Sequence, residues 1–174
     1  MAKVLIAYYS RRGENYVSGA IKNLAEGNTE IVAKFIQKKT GGDLFRIDTV
    51  KTYPADYTEC TEVAKVELRE KARPELKRYL DDISDYDTIF LGYPCWWGAP
   101  PCAVATFLEH YDFSGKKIIL FTTHEGSGFG GSVSYTKKLC PTAKVIQGIS
   151  IHGSRAANCE SEIEMWLDSL VESL

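Results

Sequence analysis

The sequence predicts a single three-layer α/β domain, a doubly wound five-stranded parallel sheet with helices on both faces. Three observations predict it. Five short apolar runs recur at wide intervals, none of them alternates polar with apolar residues, and helical patterns lie between them. Strands buried on both faces read as continuous apolar runs, and right-handed crossovers through helices turn such βα units into one sheet with two covered faces. With 174 residues the chain is one domain, long enough to bury about 70% of its unfolded surface.

In chain order the runs are Val4 to Tyr9, Leu44 to Ile47, Thr88 to Tyr93, Lys117 to Thr122 and Val145 to Ile151. Over residues 29 to 39, Val32, Phe35 and Ile36 share one helical face. Val63, Val66 and Leu68 suggest a helix within 50 to 82, and Pro74 argues for a break near Arg73. Pro100 and Pro101 suit a first helical turn, after which Val104, Phe107, Leu108 and Tyr111 keep the apolar spacing. The last segment is the clearest: Ile163, Trp166, Leu167, Leu170, Val171 and Leu174 follow i, i+3, i+4, i+7, with Ser161 and Glu164 spaced as a capping box.

Composition excludes several classes. Apolar residues make up 44% and charged residues 25%, as in globular proteins, and 21 Lys plus Arg against 23 Asp plus Glu give a formal charge of −2. No global field draws the chain to nucleic acid. No run approaches a membrane span, and Met1-Ala2-Lys3 leads into a strand without a secretory leader, so a cytoplasmic protein is expected. Cys60, Cys95, Cys102, Cys140 and Cys159 contain no C-x-x-C pair and are odd in number, which reads as reduced thiols. His110, His124 and His152 lack metal-ligand spacing, so no metal site is expected.

In a doubly wound sheet, ligands sit beyond the carboxyl ends of the strands where the strand order reverses, so the loops there carry the chemistry. After the first run comes Ser10-Arg11-Arg12-Gly13, then Glu26-Gly27-Asn28-Thr29-Glu30 at the start of the first helix. Small hydroxyl and amide residues at a helix N-terminus suit a phosphate, although Asn28 or Thr29 also suits an ordinary N-cap. After the third run comes Pro94-Cys95-Trp96-Trp97-Gly98, where two adjacent indoles on a rigid loop suit a flat heteroaromatic ring. After the fourth, four glycines within 126 to 131 follow Thr123-His124-Glu125 and let backbone groups approach a ligand closely.

These motifs, with the Tyr8-Tyr9-Ser10 end of the first run, resemble the flavodoxin family over essentially the whole chain. The resemblance implies the strand order 2-1-3-4-5 and non-covalently bound FMN. It implies a cofactor-binding set of Ser10, Arg11, Asn28, Thr29, Glu30, Pro94, Cys95, Trp96, Trp97, Gly98, Thr123, His124, Glu125, Gly126, Ser127 and Gly128. Ser10, Asn28 and Thr29 would hold the phosphate, and the loops 94 to 98 and 123 to 128 would flank the ring. Two features depart from the family pattern. About sixteen residues, Arg11 to Glu26, interrupt the phosphate loop, which makes Arg11 and Arg12 candidate extra cations, and the chain is nearly neutral where carrier flavodoxins are acidic.

The function implied is one-electron carriage between redox partner proteins. The alternative is an FMN-dependent oxidoreductase passing hydride from NAD(P)H to a small acceptor such as a quinone. No bulky aromatic lies between Thr123 and Gly128 to cover the second ring face, which admits that alternative, but no G-x-G-x-x-G follows the first run. His124 and Glu125 are candidates for proton transfer but read better as solvated or locally bonded loop residues, Cys95 reads as packing, and the acidic last helix reads as a solvated face before a dock for a basic redox partner. A phosphoacceptor site, a C-x5-R phosphatase loop and a G-x-S-x-G elbow are all absent.

Overall fold

The computed structural model describes residues 3–173, with side chains through Val171; Met1, Ala2 and the expected last apolar position, Leu174, lie outside the described residues. Strand β1 (Lys3–Tyr8) is followed by a hairpin of β2 (Gly13–Val17) and β3 (Ala20–Leu24), then helix α1 (Asn28–Thr40) and β4 (Asp43–Arg46). Helix α2 (Tyr57–Glu70), β5 (Tyr86–Pro94), α3 (Cys102–His110), β6 (Lys117–His124), α4 (Ser132–Leu139), β7 (Lys144–His152) and α5 (Glu160–Ser173) complete the chain. All five expected strands form.

The main sheet runs β4-β1-β5-β6-β7, every pairing parallel, which is the expected 2-1-3-4-5 order once the hairpin strands are set aside. The absence of alternation has a direct cause. Leu5, Ala7, Ile89, Leu91, Ile118 and Leu120 face one core with α3, whereas Ile6, Tyr8, Phe90, Ile119 and Phe121 face the other with α1 and α5. Successive side chains point to opposite faces, and both faces are buried. Because β1 leads to β4 on one side and the chain then returns to β5 on the other, the order reverses between β1 and β5.

Three helix starts differ from expectation. Helix α3 begins at Cys102 with Pro101 as its N-cap, so Pro100 and Pro101 precede its first turn instead of forming it. Helix α5 begins at Glu160, with the Cys159 carbonyl accepting from the Ile163 N–H at 2.9 Å, so Ser161 lies inside the first turn and does not cap it. Helix α1 begins after Gly27, whose extended backbone makes it the N-cap with no side-chain hydrogen bond, leaving Asn28 and Thr29 in the first turn. The acidic face of α5 is partly neutralised: Glu160 meets Lys38 at 2.5 Å, Glu162 meets Arg155 at 2.5 Å and Asp168 meets Lys39 at 3.5 Å.

The hairpin lies outside the five expected βα units. It turns at Ser18 and Gly19, both with positive φ (51° and 85°), the geometry that lets two residues join strands of natural twist. Its sequence signal is that Ser-Gly pair between Tyr16-Val17 and Ala20-Ile21. Most of its side chains are exposed, so no core-facing stripe announces it.

Candidate functional site

Parallel strands end on one edge, and there the loops after β1, β5 and β6 meet. A cavity of about 290 Å³ lies between them, lined by Ser10, Arg11, Asn28, Thr29, Pro94, Cys95, Trp96, Thr123, His124, Glu125, Gly126 and Ser127, joined by Asn15, Tyr16 and Tyr57. It sits beside the β1/β5 reversal, where doubly wound sheets bind ligands.

One end of the cavity is polar and lies at the start of α1. The first turn of α1 presses against Ser10: a Cβ on Gly27 would fall 2.1 Å from the Ser10 hydroxyl oxygen and 2.6 Å from the Arg11 carbonyl oxygen. The Ser10 hydroxyl accepts from the Glu30 N–H at 3.1 Å, and the buried Thr29 and Thr123 hydroxyls are 2.8 Å apart. Beneath them Glu30, its side chain 3% exposed, is surrounded by Arg12 at 2.7 Å, Arg46 at 3.3 Å and Lys34 at 3.7 Å. Arg46 also donates to the Ser10 carbonyl at 3.2 Å, and its Nη1 is buried without a hydrogen-bond partner. Lys34 also pairs with Glu26, so three cations stand against two carboxylates and leave a single net positive charge near the helix N-terminus, which favours a phosphate. The Arg12 hydrogen bond holds the Glu30 carboxyl below its usual range, against the opposing effect of burial.

The other end suits a flat ring. Trp96 is half-buried and held edge-on by Tyr9 and Tyr53, each with ring centroids 5.3 Å away. The Cys95 N–H donates to the Thr123 carbonyl at 2.9 Å, tying the aromatic loop to the end of β6. Gly126 and Gly128 adopt φ of 136° and 59°, so a side chain there would strain the loop that faces the ligand. His124 accepts the Gly126 N–H on Nδ1 at 2.9 Å; burial and His152 push its pKa down, so it adds little positive charge at neutral pH.

Four residues of the expected set stand apart from this cavity. Glu30 contributes its backbone N–H near Ser10 while its carboxylate turns to the arginines. Trp97 is 52% exposed, carries a positive φ of 54° and donates its indole N–H to the Thr61 carbonyl at 2.9 Å. Gly98 packs against Gly130, and Gly128 is outside the lining. Of the two candidate cations, Arg12 is spent on Glu30. Arg11 lines the cavity while its guanidinium straps the Glu14, Pro54 and Ala55 carbonyls at 2.8, 3.0 and 3.1 Å.

Sequence reasoning missed Asn15, Tyr16 and Tyr57. Tyr16 and Tyr57 stack at 6.2 Å with an interplanar angle of 23°, so a second aromatic wall comes from the hairpin and α2, not from the loop after β6. The five cysteines are free, and among the described residues no three His, Cys, Asp or Glu side chains cluster as metal ligands. Among the described residues, no helix is long and apolar enough to cross a membrane.

A family model described as Flavodoxin matches residues 3–170. The chain belongs to the flavodoxin family. Flavodoxin 1 of Salmonella typhimurium is 28% identical over 137 residues, which are 76% of this chain and 60% of that protein. The chain thus spans about 60% of the length of its curated flavodoxin relatives. A candidate flavoprotein from Bacteroides eggerthii superposes with a TM-score of 0.76 at 29% identity, covering 97% of this chain and 98% of the other. A flavoprotein from Lactobacillus acidophilus, crystallised with FMN, shares the fold at a TM-score of 0.66 and 22% identity, covering 96% and 99%.

Proposed function

We propose that this flavodoxin binds FMN without a covalent link and carries electrons between redox partner proteins. The observation that carries the reading is the cavity at the β1/β5 reversal, polar and cation-backed at the α1 end and aromatic at the Trp96 end. Family membership and the FMN held by the Lactobacillus relative support it.

FMN supplies the redox chemistry; the chain supplies binding and electrostatics. The Ser10 and Thr29 hydroxyls, the Asn28 side chain and the N–H groups at the start of α1 hold the phosphate. For the Thr29 hydroxyl to donate to it, the Thr123 hydroxyl must donate to Thr29, a direction the 2.8 Å contact permits. Trp96 faces the ring, and the backbone of 123 to 127 borders its polar edge. The lowered pKa of His124 removes its charge at neutral pH, which leaves Arg11 as the cation in the cavity lining.

The test is an FMN titration of the apo-protein followed by anaerobic photoreduction. Tight binding and reduction in two separate one-electron steps are expected. A single two-electron bleaching would refute the carrier role, and absence of binding would refute the cofactor.

A further inference from the structure

Two sets of polar contacts that straddle the cavity tie the hairpin to the domain, beside the buried Val17 and the Tyr16–Tyr57 stack. At its base, Glu14 accepts from the Tyr57 N–H at 2.9 Å, and Arg11 straps the hairpin to the 54–55 backbone. At its tip, the Ser18 N–H donates to the Glu125 carboxylate at 2.7 Å, joining positions 107 apart in sequence. Between these two anchors Tyr16 reaches the cavity, 42% exposed and stacked on Tyr57. The hairpin pairs only with itself, so the main sheet does not fix its position.

Glu125 is itself held in place. Its Oε2 lies 4.0 Å from His152 Nδ1, and a Cβ on Gly153 would fall 2.4 Å from that oxygen and 2.7 Å from the Asn28 amide nitrogen. The carboxylate therefore occupies space that only glycine at 153 leaves open, and it points at the hairpin turn.

We propose that Glu125 is a positioning residue that latches the hairpin across the cofactor cavity, and that the latch sets Tyr16 as the second aromatic wall of the ring site. A charged acceptor on a backbone N–H is among the stronger hydrogen bonds, and of the hairpin's strand side chains only Val17 is buried, so little apolar area stands in for it. With the latch closed, the cofactor leaves only after the hairpin opens; with it broken, Tyr16 no longer holds its place. The proposal rests on the FMN reading for its second half alone.

The first arm uses no cofactor. In the apo-protein, amide exchange at Ser18 and tryptic cleavage after the exposed Lys22 are compared among wild type, Glu125→Gln and Glu125→Ala. We expect both rates to rise about tenfold in Glu125→Ala and much less in Glu125→Gln, which keeps an acceptor oxygen. Gly153→Ala, which displaces the carboxylate without removing it, should behave as Glu125→Ala does. Wild-type rates equal to those of Glu125→Ala would overturn the latch.

The second arm measures FMN dissociation by stopped-flow fluorescence. Glu125→Ala and Tyr16→Ala should each release FMN about tenfold faster than wild type. A broken latch with unchanged release would overturn the role of Tyr16. Failure of wild type itself to bind FMN would refute the cofactor reading, while the exchange and cleavage rates would still decide whether the latch exists.

Discussion

Replacing Thr29 or Thr123 by Val, singly and together, tests the joint between the two halves of the site. The hydroxyls of these residues are buried and 2.8 Å apart, and Val matches Thr in shape. Either single change leaves one hydroxyl buried without that partner, a cost of about 1–3 kcal/mol, whereas replacing both by apolar groups of the same shape is nearly neutral. The two single changes should therefore cost about 2–6 kcal/mol in sum and the double change close to nothing, a coupling of about 2 kcal/mol or more. Urea unfolding of the apo-protein measures it, as a midpoint shift at constant m. In the FMN titration, Thr29→Val should weaken binding about 10- to 100-fold, the value of one hydrogen bond to a charged group. Thr123→Val should weaken it less, because it removes only the donor that orients Thr29. Additive stabilities in the double mutant would refute the hydrogen bond. An unchanged FMN affinity in Thr29→Val would refute the phosphate placement.

Gly27→Ala should destabilise the apo-protein by at least about 1–3 kcal/mol in the same urea assay, since its Cβ meets the Arg11 carbonyl oxygen at 2.6 Å and backbone yields poorly. Trp96→Ala should weaken FMN binding tenfold or more, and Trp97→Ala less than about threefold, because only the first lines the cavity. Burial and His152 depress the pKa of His124, so the unfolded chain takes up its proton more readily than the folded one. Stability is then full above pH 6.5 and falls as the pH drops below it, and His124→Gln should flatten that slope in a pH series of thermal melts. Arg12 lowers the pKa of Glu30, so the stability Glu30 contributes is present above pH 4.5 and lost as the pH falls through its folded value. Glu30→Gln should cost about 2 kcal/mol near neutral pH and progressively less in acid, by urea titration at each pH.

The sequence by itself determined the sheet, because burial on both faces forces continuous apolar runs such as Ile89 to Leu91 and Ile118 to Phe121, a pattern visible without coordinates. It also determined where the candidate cavity lies. Parallel strands put the loops after β1, β5 and β6 on one edge whatever their side chains do, so Ser10, Thr29, Trp96 and Thr123 were legible as residues that line one cavity. The α5 helix was legible from its apolar spacing, but not its first residue: the Cys159 carbonyl took the place given to Ser161, since a helix start depends on backbone geometry as well as residue type.

Tertiary structure alone decided how the side chains in those loops are spent. Glu30 turned to Arg12 and Arg46, and Trp97 to the Thr61 carbonyl, because a charge or an indole goes to a partner brought near by the fold, and such partners are distant in sequence. The hairpin is the clearest case. Its strands pair only with each other and bury little apolar surface, so no periodic pattern in residues 13 to 24 revealed that Tyr16 reaches the cavity or that Ser18 meets Glu125. Local patterns record what is buried against the main core; they do not record a flap whose position depends on hydrogen bonds between segments a hundred residues apart.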